Sequence, residues 1–528
     1  MLNFSHKLLL FLSITIVWFR AGLGLQSVKV TWLAGLTVLF ICYVISKLRK
    51  LKAKESPSPV FIIGILLAIF FTSSRNTIFN EINHQTLKTA GIGKYFASES
   101  DLSKSIMLSR EIKKILPFIH DAPNRAITIF LDFNNRYTDN FGSVDPAGKL
   151  LKKIIDIIDR KPSPYLPTNP LVNYDTWINF FFFISQLAIG FLAYYFIKKK
   201  HLIRRFVIYI AASAVILAIV GIVQKLNYEP ADNLKEIFGI WDTPEPRYFY
   251  ASFTYKNHWS AYAILMLSCL IALCVRKISK YHFLRHIHRS TLLYLLGMLI
   301  LIISIPHSGS RSGVLILLSL FTVLALIISK RKVLHFKTKH FAFGLLFLCL
   351  SSFGGFLLNK DTTQEMLSNS ISQIQNEKTP LRILLWKDLI HQISKKTFWG
   401  YGYDSYGTIN PLFQSKVVRD ERAIGLANAH TPYIPLLGYG HSDILEWVTE
   451  FGWVGIVLLL LPAILLICRN LSFSRSIFAQ IISIGGLCFL LYCCFDFPTR
   501  SPACLISFSL LLGLSTRYTN LSINKNFH

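Results

Sequence analysis

Residues 206–224 read FVIYIAASAVILAIVGIVQ and contain no charged side chain. The segment immediately before them, KKKHLIRR at 198–205, contains five Lys or Arg residues. A helix of about 20 apolar residues crosses the hydrocarbon core of a bilayer, and Lys and Arg concentrate in the short cytoplasmic loops of membrane proteins. This stretch therefore predicts a membrane-spanning helix whose N-terminal end is cytoplasmic.

The same pattern recurs along the 528 residues, of which 52% are hydrophobic and only 16% charged. Soluble domains carry roughly 25% charged residues. We predict an all-α polytopic membrane protein with about 12 transmembrane helices and large periplasmic loops. The predicted spans are residues 8–23, 28–46, 59–73, 176–197, 206–224, 257–275, 291–306, 312–329, 341–358, 453–468, 476–494 and 501–516.

Orientation follows from five basic clusters, which come after the second, fourth, sixth, eighth and tenth predicted spans. Representative members are Lys50, Lys199, Arg276, Arg331 and Arg469. Twelve spans place all five clusters and both termini in the cytoplasm. The loops 74–175, 225–256 and 359–452 then face the periplasm. Because the positive charge sits at the ends of apolar runs, the net charge of +28 does not indicate a nucleic-acid partner.

The predicted domain organisation follows the spans and loops. It comprises residues 1–73 with spans 1–3, 74–175 as a periplasmic loop or small cap domain, 176–358 with spans 4–9, 359–452 as a large periplasmic loop that contains the candidate catalytic residues discussed below, and 453–528 with spans 10–12 and a cytoplasmic tail. Residues 1–24 have two interpretations, a cleaved signal peptide or a retained first helix. The second is favoured because Lys7 is the only basic residue ahead of the apolar core.

The nine cysteines all lie in or beside apolar runs, and the long polar loops contain none. The sequence therefore predicts neither a disulfide framework nor a thiolate metal site in those loops. The first outer loop, about residues 24–28, has no carboxylate. Later outer loops show no paired Asp or Glu beside a histidine at ligand spacing. We expect no metal and no cofactor.

Four polar segments fall on the predicted outer face. They are PRYFYASFTYKNHWSAY at 246–262, SGSRSG at 308–313, RILLW at 382–386 with WGYGY at 399–403, and HSDILE at 441–446 with EFGWVG at 450–455. In this order and spacing they resemble the O-antigen ligase/O-antigen polymerase superfamily of bacterial lipid-linked glycan transferases. Trp259, Ser260 and Ile444 depart mildly from that family's pattern.

The resemblance implies transfer of a preassembled glycan from an undecaprenyl-diphosphate carrier to an acceptor hydroxyl, in cell-envelope polysaccharide or lipopolysaccharide biosynthesis. It implies a multi-pass protein of the bacterial inner membrane, with membrane lipids around it and the active site on the periplasmic side. The acceptor stays open: lipid A–core for a ligase, a lipid-linked repeat for a polymerase, or a protein hydroxyl for an O-oligosaccharyltransferase. Ligase or polymerase is favoured because no protein-targeting domain is evident.

Three arginines are the candidate diphosphate-binding residues: Arg247, Arg311 and Arg382. A guanidinium group stays protonated and binds phosphate oxygens bidentately. Arg247 and Arg311 lie at predicted helix starts, where backbone N–H groups also favour anions. The alternative for these two is snorkelling to lipid headgroups, and for Arg382 it is a structural ion pair. Arg311 is also predicted to be catalytic.

His441 is the candidate general base, because an unperturbed imidazole accepts a proton near neutral pH. His430 competes with it, but only His441 has Leu445, Glu450 and Gly452 at the offsets of the family pattern. The alternative for His441 is a solvated loop histidine. Glu450 is expected to cap or pack at the start of a helix.

Two other functions compete with the glycan transferase. A transporter or flippase would place charges midway through its spans or break them in related halves. The predicted spans are nearly free of charge and show no paired interruptions. A non-catalytic assembly partner would keep the helices without needing the Arg and His residues.

Overall fold

The computed structural model describes residues 2–23, 26–48, 174–227, 236–241, 248–281, 289–331, 380–395, 439–473 and 476–523, with isolated positions between 397 and 418. These residues are almost entirely helical. The helices are α1 Leu2–Trp18, α2 Gln26–Leu48, α3 Tyr174–Phe196, α4 Lys200–Leu226, α5 Lys256–Tyr281, α6 Arg289–His307, α7 Arg311–Arg331, α8 Leu381–Lys395, α9 Asp443–Phe473, α10 Ile477–Phe495 and α11 Pro502–Ile523.

Helices occur at ten of the twelve predicted spans. Spans 59–73 and 341–358 lie outside the described residues, as does nearly all of the loop 74–175. Five of the described helices, α4, α5, α6, α9 and α10, are long and apolar enough to cross a bilayer. The chain is therefore a multi-pass membrane protein, while twelve spans and the sidedness of the loops stay predictions.

The largest boundary difference is at α9, which begins at Asp443 rather than at the predicted residue 453. Ser442 caps the helix: its Oγ accepts the N–H of Leu445 at 3.3 Å and its carbonyl accepts the N–H of Glu446 at 3.0 Å. Hydropathy leaves this stretch out of the predicted span because it is acidic. Carboxylates in the first turn of a helix are nevertheless stabilised by the helix dipole.

Contacts divide the chain into two compact units. The first is Met1–Ile62, Phe181–Asn376 and Leu461–His528, and the second is Ile63–Phe180 and Glu377–Leu460. In the first unit α5 packs against α4, α6, α7, α10 and α11. Residues 257–275 of α5 are buried throughout, so α5 is the central helix of this unit.

Buried polar side chains join the helices at the end of the first unit where α4 begins and α11 ends. Asn470 Nδ2 donates to the hydroxyls of Ser483, Ser515 and Thr516, each at 3.1 Å. Arg204 donates to the hydroxyl of Tyr518 at 3.3 Å. Polar groups inside a helical bundle are stabilised when they are paired in this way.

The described cysteines are free thiols. They are Cys42, Cys269, Cys274, Cys468, Cys488, Cys493, Cys494 and Cys504. Cys468 and Cys494 are exposed and Cys42 is half-buried. The remaining five are buried among the apolar side chains of α5, α10 and α11, where a thiol packs as a small hydrophobic group.

Candidate functional site

His441 precedes α9 and has a backbone φ of +56°, a left-handed conformation that is uncommon outside glycine. Its carbonyl accepts the indole N–H of Trp386 at 3.3 Å. Trp386 belongs to α8, so the third and fourth polar segments of the sequence meet at this hydrogen bond. Helix α8 thereby holds the backbone of the candidate base.

The chain on both sides of His441 is fixed as well. The fully buried carboxylate of Glu446 accepts the backbone N–H of Gly440. Ser442, the cap of α9, follows His441 directly. These bonds fix the chain as it enters the helix, and the Ser442 cap satisfies the N–H of Leu445, which a helix start leaves without an intrahelical acceptor. His441 therefore sits on a rigid turn.

The imidazole of His441 is neutral at ordinary pH. Burial, and then the positive charge of Arg382, lower the pKa of His441 from 6.5 to about 4. Arg382 lies in the first turn of α8, so the structure brings two predicted site residues into electrostatic contact. A neutral imidazole has a lone pair that can accept a proton.

Helix α9 is interrupted at Gly452, and the segment around residues 397–398 of the second unit binds to the helix at this interruption. Gly452 has φ +67° and ψ 176°, a conformation essentially restricted to glycine. The N–H groups of Trp453 and Val454 then donate to the carbonyls of Thr397 and Phe398 at 2.9 and 3.2 Å. Backbone segment 397–398 thus replaces acceptors that the interrupted helix loses.

Gly400 makes this contact possible. It has φ +67°, and a Cβ there would lie 2.5 Å from the nitrogen of Gly452 and 2.6 Å from the carbonyl of Glu450. Glu450 is buried, and its backbone packs against Gly400. The ring of Tyr403 stacks on Phe451 with centroids 6.1 Å apart. The segments around 400 and 452 therefore form one packed substructure.

In the first unit, Arg311 is the first residue of α7 and is exposed. Ser310 caps α7, because its Oγ accepts the N–H of Gly313 at 3.0 Å. Ser308 Oγ lies 3.2 Å from Ser260 Oγ of α5. The second polar segment is thus attached to the first, and Arg311 stands at a helix N-terminus suited to an anion.

A buried group of hydrogen-bonded polar side chains lies at the start of α5. Asn257 donates to the carboxylate of Asp496, which is fully buried at the end of α10, and to the hydroxyl of Tyr255 at 3.1 Å. The ring of Tyr255 stacks on Phe497 with centroids 5.3 Å apart. The C-terminal end of α10 therefore anchors the start of α5.

Residues 296–460 match the family model described as O-antigen ligase. This part of the chain is similar to that family. The match confirms the resemblance for three of the four polar segments and supports a role in lipid-linked glycan transfer in general terms. The matched residues include Arg311, Arg382 and His441 and exclude the segment 246–262. No curated protein matches the chain.

Among these residues, Arg382 and His441 come together in the second unit, while Arg311 belongs to the first. Arg247 and His430 lie outside the described residues. Over the part of the chain that the structure describes, no group of three or more His, Cys, Asp or Glu residues is placed to hold a metal ion.

Sequence reasoning missed Glu446, Tyr492 and Asp496 as residues that fix the site. Tyr492 is hidden within an apolar run, and the hydroxyls that it contacts, those of Ser310 and Ser312, are remote in sequence. Asp496 gives a readable signal, since it is a carboxylate two residues after the predicted span 476–494. Intramembrane or membrane-edge carboxylates are costly and point to a specific partner.

Proposed function

We propose that this protein transfers a preassembled glycan from an undecaprenyl-diphosphate carrier to an acceptor hydroxyl at the periplasmic face of the bacterial inner membrane. The observation that carries the proposal is His441, held on a rigid turn beside Arg382 within the residues that match the O-antigen ligase model. A neutral imidazole on a fixed backbone next to a cation suits a reaction that removes a proton and releases an anion.

The proposed step is an inverting displacement. The acceptor oxygen attacks the anomeric carbon and gives its proton to His441 as the new C–O bond forms. The bond between the anomeric carbon and the diphosphate oxygen breaks, and the carrier leaves as undecaprenyl diphosphate. The guanidinium groups of Arg247, Arg311 and Arg382 stabilise the negative charge that develops on the leaving diphosphate. His441 later returns the proton to water.

The chemistry needs no metal, because the arginines supply the positive charge at the diphosphate. With both termini cytoplasmic, the loops that carry Arg382 and His441 face the periplasm, where the lipid-linked glycan is presented. The acceptor we favour is lipid A–core or a second lipid-linked repeat. Transfer to protein and transport of the lipid-linked glycan are the competing functions.

Deletion in the native host, followed by glycan profiling of lipid and protein, tests the proposal. Loss of long glycan on lipid A–core with retention of carrier-linked polymer identifies a ligase. Single-repeat products identify a polymerase, and loss of protein glycans identifies an oligosaccharyltransferase. Accumulation of lipid-linked glycan on the cytoplasmic side would overturn the proposal in favour of a flippase.

Purified protein supplies the biochemical test. We expect it to release undecaprenyl diphosphate from a lipid-linked glycan in the presence of an acceptor and of excess EDTA. Release that stops with EDTA and returns with a divalent cation would contradict the metal-independent step.

A further inference from the structure

One hydroxyl group contacts both chain neighbours of Arg311. Tyr492 Oη lies 3.0 Å from Ser310 Oγ and 3.0 Å from Ser312 Oγ. The side chain of Tyr492 is fully buried in α10, whereas Arg311 is exposed at the start of α7. Tyr492 takes no part in the chemistry proposed above, so its polar contacts need another explanation.

The hydrogen-bond directions are mutually consistent. Ser310 Oγ already accepts the N–H of Gly313, so its own hydrogen is free to be donated to Tyr492 Oη. The phenol hydrogen is then donated to Ser312 Oγ. A hydroxyl donates one hydrogen and accepts through its lone pairs, and each of the three hydroxyls can meet that requirement. The first turn of α7 is thereby fixed on both sides of the arginine.

We propose that Tyr492 is a positioning residue for Arg311. It holds the first turn of α7 against the buried surface of α10, so that the Arg311 guanidinium is directed toward the donor diphosphate. The inference rests on the proposed function, in which Arg311 binds that diphosphate. Small displacements of a binding group are costly in catalysis.

The test measures binding of undecaprenyl diphosphate to the purified full-length protein in detergent. Tyr492→Phe removes one oxygen atom and keeps the buried ring. We expect about 10-fold weaker binding, as two ordinary hydrogen bonds are lost, and a similar rise in the donor KM with a smaller change in kcat.

Tyr518→Phe is the matched control, because it also removes a tyrosine hydroxyl that accepts a hydrogen bond, from Arg204, within the first unit. The Tyr518→Phe variant should bind undecaprenyl diphosphate as tightly as the wild type does.

A double-mutant cycle separates positioning from packing. Tyr492→Phe should weaken binding in the wild type and add nothing measurable to Arg311→Ala, because its effect passes through Arg311. An equal loss in both backgrounds would mean general packing and would overturn the inference. If Tyr492→Phe does not fold, Ser312→Ala takes its place, with an expected loss of about threefold for one hydrogen bond.

The outcomes also separate this inference from the proposed function. Weak binding by Arg311→Ala together with wild-type binding by Tyr492→Phe and Ser312→Ala rejects the positioning role alone. Wild-type binding by Arg311→Ala rejects the diphosphate role of Arg311 and, with it, the inference.

Discussion

The left-handed backbone at His441 decides which substitution tests its role. Asn is several-fold enriched among non-glycine residues in that conformation, so His441→Asn removes the ring with little backbone strain. We expect His441→Asn and His441→Ala to lose transfer activity by about 10²–10⁴-fold, the usual contribution of a general base. Donor binding and thermal stability should stay near wild type.

His430→Ala is the matched histidine control and should be mild. Normal activity in both His441 variants, with loss in His430→Ala, would reverse the assignment. Full activity in all three variants would mean that neither histidine is the base.

The pH dependence of His441 follows from the direction of its pKa shift. Burial and Arg382 lower that pKa to about 4, and the base is the unprotonated form. The rate constant kcat/KM should therefore rise with pH through an ascending limb near pH 4 and stay level through neutrality. Removing the nearby cation with Arg382→Gln should move the limb to higher pH, while burial keeps it below 6.5. A limb at 6.5 in the wild type would contradict the described environment.

Binding of the donor should also move this titration. The diphosphate neutralises Arg382, so the pKa of His441 in the complex should lie above its value in the free protein. The limb in kcat, which reports the complex, should then lie at higher pH than the limb in kcat/KM.

Arg311 differs from a lysine in geometry rather than in charge. An ammonium group is a compact point charge and cannot reproduce the bidentate fork of a guanidinium. Arg311→Lys should therefore transfer glycan much more slowly than wild type at equal expression, and Arg311→Ala more slowly still. Wild-type transfer by the Ala variant would eliminate the role in diphosphate binding.

At the scale of elements, the break in α9 depends on two glycines. Gly400→Ala would place a Cβ within 2.6 Å of the α9 backbone in a left-handed conformation, and Gly452→Ala would strain a glycine-only conformation. Each should destabilise the protein by about 1–3 kcal/mol. The measurement is the thermal unfolding midpoint in detergent.

Gly486→Ala is the control for this pair. A Cβ at Gly486 would lie 3.4 Å from the ring of Phe508, an ordinary contact inside a regular helix. We expect an unchanged or slightly higher midpoint, because Ala favours helix more than Gly does. Equal losses in all three variants would remove the special role of the α9 break.

The sequence predicts the apolar helices well, but it predicts poorly the polar contacts that connect one helix to another. An apolar run such as 206–224 indicates a helix in lipid by its own composition, because lipid requires every residue of a spanning segment to satisfy its backbone hydrogen bonds within the helix. The early start of α9 and the break at Gly452 depend instead on a cap by Ser442 and on acceptors supplied by Thr397 and Phe398. The contact of Tyr492 with Ser310 joins helices that are far apart in the chain, and no local pattern encodes it.

At the scale of the whole molecule, sidedness is the prediction that matters most. Both termini and the basic loops should be cytoplasmic, with 74–175 and 359–452 periplasmic. Single cysteines introduced at residues 120, 335 and 420, in a variant whose native cysteines are replaced by serine, test this by labelling with a membrane-impermeant maleimide. Labelling from outside should occur at 120 and 420 only. Labelling of residue 335 from outside, or of residue 420 only from inside, would contradict both the predicted topology and the proposed site.

The free thiols of the described helices have a consequence for how the protein matures. The long polar loops contain no cysteine, and the eight described cysteines are unlinked. Biosynthesis should therefore be independent of the thiol-oxidising enzymes of the cell envelope. A production strain that lacks those enzymes should accumulate as much inserted, active protein as one that has them. For the same reason, a reducing agent can be kept in every buffer from cell lysis to assay without loss of yield.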